Sequence, residues 1–246
     1  MLDLNRKCKT SKDFVILAEE LRVSGSVVQY IAVVSLHLQF LEKRKEHSQL
    51  SNVLMSFVQH LHTLVIVFDS DTTLIYRQSI LTKSLPVIEH HLKHFNSLQL
   101  LRCCDLLHRM CLATEHYSDA GSFSYRVASS LPTSCSASRA NLLRKTVEAF
   151  LNCGQYQTAL DVSFELNQVT EFVTTTDRLL SLLLSLFLND FKTSEEYLSL
   201  LGLDNSCLRG IEMRKWDSLS EEVQNLFNRF KIINIFVNEL IDIVFD

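Results

Sequence analysis

His90 and His94 are the residues of this chain whose spacing most directly suggests chemistry. Four apart, they fall on one side of a helix and point two imidazoles at one ion. Cys104, His108 and Cys111 repeat that geometry one helix later, so two packed helices would join both sets in a zinc or iron centre. The same residues also fit a plainer arrangement. His90, His91 and His94 then form a solvated polar face, and Cys104 and Cys111 are small core residues. Structural zinc sites usually carry short Cys-x-x-Cys loops, and none occurs here, so no metal or other cofactor is expected. His60 and His62 are two apart, point to different faces of a helix, and receive no ligand role.

Paired carboxylates occur at Glu19 with Glu20, Glu195 with Glu196, and Glu221 with Glu222. The latter two pairs fit first turns of helices, where acids complement the dipole. None stands in the apolar surroundings that general acid catalysis needs. The chain holds no Gly-rich phosphate loop, no Gly-x-Ser-x-Gly elbow and no His-Glu-x-x-His pair. A binding protein without catalytic residues is the expectation. Arg6, Lys7, Lys9 and Lys12 read as a solvated terminus, and a net charge of -4 exerts no overall pull towards nucleic acid.

The elements that must position these residues are helices. Five Gly and two Pro leave little punctuation for hairpins or linkers, and 47% apolar with 21% charged residues is the composition of a folded chain. Seven cysteines, two of them adjacent at Cys103 and Cys104, lack framework spacing and read as reduced thiols of a cytosolic or nuclear protein. The amino-terminal charges have no apolar run behind them, which predicts no leader. The longest apolar run, Leu179 to Leu188, is about half of the ~20 residues needed to span a bilayer, so no integral membrane segment is expected.

The clearest local signal runs from Arg139 to Val169, two amphipathic helices joined by a turn at Gly154. Other helices are expected from Thr10 or Ser11 to Val23, from Ser26 past Leu41, from Ser48 or Ser51 to about Phe68, and from Thr73 to about Ser84, where Pro86 should interrupt or kink the chain. Further helices should run from Asn96 or Ser97 to about His116 and from Tyr117 to Leu131. The stretch from Pro132 to Ser138 is the best linker candidate within one domain of residues 1–246. Tyr117 with Ala120 and Tyr156 with Ala159 form a weak repeat offset by 39 positions.

The last third is more apolar than one helical face requires. The leucine helix from Asp177 to Asn189 is followed by a short helix to Leu201, then by a final helix from Ser218 or Ser220 almost to Asp246. Leu180, Leu183, Leu184 and Phe187, with Phe227, Phe230, Phe236 and Leu240, are therefore the candidate partner-binding residues.

Phe150, Gly154, Tyr156 and Ala159 resemble the helix-turn-helix unit of tetratricopeptide repeats. That implies an all-α, tetratricopeptide-like α-solenoid of antiparallel helix pairs. The chain also looks like adaptors of the kind that includes soluble NSF attachment proteins, which implies a role in vesicle or endosomal trafficking. A more specific similarity, to the family of the forty-kilodalton huntingtin-associated protein, rests on three stretches. These are Phe14 to Arg22 followed by Tyr30-Ile-Ala32, Gln155 to Val162, and the Arg178 leucine helix with Tyr197 after it. The family's proline- and alanine-rich insertion before the leucine helix is missing here. The resemblance implies a scaffold, in the cytoplasm and also in the nucleus or on early endosomes, clamped as a heterodimer by a large helical-repeat partner such as huntingtin.

Overall fold

A computed structural model describes residues 8–67, 71–188 and 190–201, and every regular element among them is helical. The expected final helix, with Phe227, Phe230, Phe236 and Leu240, lies outside the described residues. The chain forms two compact units that divide between His116 and Tyr117. The stretch from Pro132 to Ser138 lies inside the second unit and is largely helical, a 3-10 turn Thr133–Cys135 leading into a helix that starts at Ser136.

The first unit contains α1 (Ser11–Val23), α2 (Val27–Lys43), α3 (His47–Val67), α4 (Asp71–His91), a 3-10 turn (Leu92–His94) and α5 (Ser97–Ala113). Thr10 caps α1, with its hydroxyl on the Asp13 amide and the Asp13 carboxylate on the Thr10 amide. Asn96 and Gln99 cap α5 in the same reciprocal way. α1 packs on α2, α2 on α3 and α3 on α4, while α2 also meets α4 and α3 also meets α5. Leu38, Leu41, Leu50, Leu54, Leu61, Leu81 and Leu107 are fully buried between them.

Pro86 does not end α4. It lies within the helix on an exposed turn, where the Thr82 carbonyl that loses its helical N–H partner is itself at an exposed residue. Leu81, Leu85 and Ile88 continue the buried stripe on both sides of the proline. Packing on one face therefore outweighs one hydrogen bond on the other.

The second unit contains α6 (Tyr117–Ser130), α7 (Ser136–Asn152), α8 (Tyr156–Asn167), a 3-10 turn (Thr170–Phe172), α9 (Thr175–Phe187) and α10 (Phe191–Leu200), each α-helix packed on the next. Gly121 on α6 lies directly against Phe150 of α7. A Cβ at that position would stand 2.8 Å from the Phe150 ring.

Four helix ends share one turn. Gly25, Lys45, Glu115 and Gly154 have φ of +72°, +60°, +60° and +72°. In each case the next residue's N–H donates to the carbonyl five back: Ser26 to Leu21 (3.0 Å), Glu46 to Leu41 (3.0 Å), His116 to Cys111 (2.8 Å) and Gln155 to Phe150 (2.9 Å). A new helix starts one residue further on, at Val27, His47, Tyr117 and Tyr156. The expected repeat is thus a repeat of structure. Tyr117 and Tyr156 each open a helix, and Ala120 and Ala159 are each fully buried three residues in.

Candidate functional site

At one corner of the first unit, the end of α4 and the 3-10 turn that follows it converge on a single carboxylate in the last turn of α2. Glu42 is the penultimate residue of α2 and His91 the last of α4. The chain then tightens into the 3-10 turn, a geometry that brings residues three apart to the same side, so His94 lies beside His91. The Glu42 carboxylate stands 2.8 Å from Lys93 Nζ, 3.2 Å from His94 Nε2, 3.5 Å from His90 Nε2 and 3.8 Å from His91 Nδ1. His47 stacks on the His94 ring with centroids 4.9 Å apart.

Burial separates the members. His90 and Lys93 are exposed, His94 is mostly enclosed, and the His91 side chain is only 2% exposed. Hydrogen bonds from Lys93 and then from His94 hold the Glu42 carboxyl down at about 2, so it is an anion at neutral pH. Burial pushes the His91 imidazole down to about 4, against the opposite pull of Glu42, so it is neutral there. Its Nδ1 has no hydrogen-bond partner among the described residues. Two imidazole nitrogens and a carboxylate oxygen thus lie within 4.8 Å of one another, the one such cluster among the described residues.

The sequence pairing of His90 with His94 is therefore only half of the arrangement. α4 stops at His91, which changes the register and exchanges His90 for His91 as the partner of His94. His91 and His94 are not on a solvated face either; only His90 is. Cys104, His108 and Cys111 lie on the buried face of α5 and do not join the cluster. Burial raises the Cys103 thiol far above its ordinary range, which makes it an inert core group. Glu42 has no sequence signal beyond its place in the charged run that ends α2. Its distance of 52 residues from His94 hides the pairing.

In the second unit, Leu184 of the leucine helix is buried at 1% exposure, while Leu180 and Leu183 are half-buried. Phe187 is the last residue of that helix. The helix is not apolar all round. Ser181 and Ser185 are fully buried, Ser181 Oγ accepting from Asn167 at 3.0 Å and Ser185 Oγ lying 2.9 Å from Ser194 Oγ. Asn167 also donates to the Tyr197 hydroxyl at 3.4 Å, so a polar seam links α8, α9 and α10. The start of α9 is clamped from α7. Arg144 donates to both Asp177 carboxylate oxygens (2.8 to 3.1 Å), while Asp177 caps the helix with Thr174. No helix among the described residues is long and apolar enough to cross a membrane. In comparison with known proteins, no family model and no curated protein matches the chain.

Proposed function

We propose that the chain is a helical-repeat scaffold that acts by binding a large partner protein, with a tetratricopeptide-like stack of antiparallel helix pairs as its framework. The observation that supports this reading is one left-handed turn recurring at four helix ends, twice with the same Tyr and buried Ala 39 residues apart. Units of that length bury their apolar faces by stacking, and the surface so built is commonly used to hold other proteins.

The proposed contact centres on Leu180 and Leu183 of α9, which the described residues leave half-buried. The occupant is a second helical-repeat protein of large size. The resemblance of the sequence makes huntingtin the first to test, in the cytoplasm, the nucleus or on early endosomes. The experiment is affinity purification of the full chain from its native cells with mass determination, for wild type and Leu183→Asp. A stoichiometric complex with a large helical-repeat protein is expected, and L183D should lose it while still melting cooperatively. An unpaired carboxylate buried in such a contact costs several kcal/mol. Recovery of membrane-fusion helices instead would favour a trafficking adaptor. A monomer without a stoichiometric partner, or L183D with its partner retained, overturns the reading.

A further inference from the structure

We propose that Glu42, His91 and His94 form a divalent-cation site for which zinc is the best-suited ion. Two imidazoles and one carboxylate are a borderline nitrogen and oxygen donor set that zinc accepts in four-coordinate sites, with a fourth position left open. The nitrogens nearest the carboxylate are His91 Nδ1 at 3.8 Å and His94 Nε2 at 3.2 Å. Ligand atoms of a tetrahedral zinc site stand roughly 3.4 Å apart, so side-chain adjustments of the order of 1 Å would close the site.

The second observation is His91 itself. Its side chain is 98% buried, and its Nδ1 faces the carboxylate with no hydrogen-bond partner among the described residues. An imidazole nitrogen enclosed without a partner is costly, and a cation seated between it and Glu42 would use its lone pair. The ligands come from α2, α4 and the 3-10 turn, so a bound ion would tie three elements together at the corner of the unit. The obstacle is Lys93, whose ammonium already stands 2.8 Å from the carboxylate. That side chain is exposed on a flexible stem, and the ion would have to displace it.

The test is zinc titration of the full chain against a chromophoric chelator, followed by thermal melting with and without zinc. Wild type should bind one equivalent and melt at a higher temperature when loaded. Glu42→Gln and His94→Gln should each weaken binding on the order of 100-fold. Lys93→Met should bind more tightly than wild type, because a competing cation is gone. No saturable binding by wild type, or unchanged affinity in both E42Q and H94Q, overturns the site. Should either variant fail to fold, K93M decides, since unchanged or weaker binding there overturns the proposal as well.

Discussion

Lys45 and Glu115 do at two helix ends what Gly25 and Gly154 do at the other two, and their side chains make the difference measurable. A residue with a Cβ at φ near +60° meets its own carbonyl, a strain that glycine escapes. Glu115 is exposed, so its replacement disturbs little else. Glu115→Gly should stabilise the protein by about 0.5 to 1 kcal/mol, read as a higher urea midpoint with an unchanged slope. At Gly154 the turn was legible in the sequence, because glycine is the residue that adopts this conformation freely, and Gly25 falls in the gap expected between the first two helices. At Lys45 and Glu115 nothing local marks it. The same hydrogen-bond closure forms there because the helices on either side are held by packing. The buried serines follow the same logic. Ser181 and Ser185 look incidental within a leucine run, yet the seam through Asn167, Ser194 and Tyr197 satisfies them.

At the scale of elements, the packing of α6 on α7 around Phe150 depends on the absence of a side chain at Gly121. Phe150 is 5% exposed and has little room to retreat from an added Cβ, which would meet its ring at 2.8 to 3.0 Å. Gly121→Ala should destabilise the second unit by about 1 to 2 kcal/mol, since overpacking exceeds the gain in helix propensity. Phe150→Leu in the G121A background should recover part of that loss, so a double-mutant cycle by thermal melting should show coupling between the two positions. A strictly additive cycle would mean that the helices do not meet there. α4 shows the opposite case, in which a proline that argues for a break is carried through a continuous helix. Its stop at His91, five residues later, is what sets the register of the histidine corner.

For the whole molecule, the distribution of histidine makes the two units respond differently to acid. All nine histidines lie at or before His116, and therefore in the first unit. His37 is enclosed at 3% exposure, stacked on Phe14 with Nε2 2.8 Å from the Ser11 hydroxyl, and burial lowers its proton affinity. Burial lowers those of His60 and His62 in the same direction. Folded-state values below the ordinary ~6.5 mean that the unfolded chain binds more protons. This contribution to stability is complete above that pH and is lost progressively as the pH falls below it. Hydrogen exchange at pH 5 compared with pH 7 should therefore show lost protection in residues 8–116 before residues 117–201. His37→Gln should flatten the decline of the melting temperature with acid. Equal loss in both units, or an H37Q profile parallel to wild type, would count against it.

What the sequence by itself determined is local. Helix starts at Thr10 or Ser11 and at Asn96 or Ser97, the turn at Gly154, and the opening Tyr of two helices all follow from capping, glycine and spacing, whose energies act within a few residues. The all-helical class follows from the same signals and from the scarcity of Gly and Pro. Only the tertiary structure decided which imidazoles meet. Glu42 joins His94 across 52 residues because α2 and α4 pack side by side, and His91 replaces His90 because the helix ends there. Convergence of that kind depends on the packing of helices distant in sequence, and periodicity along any one helix carries no record of it.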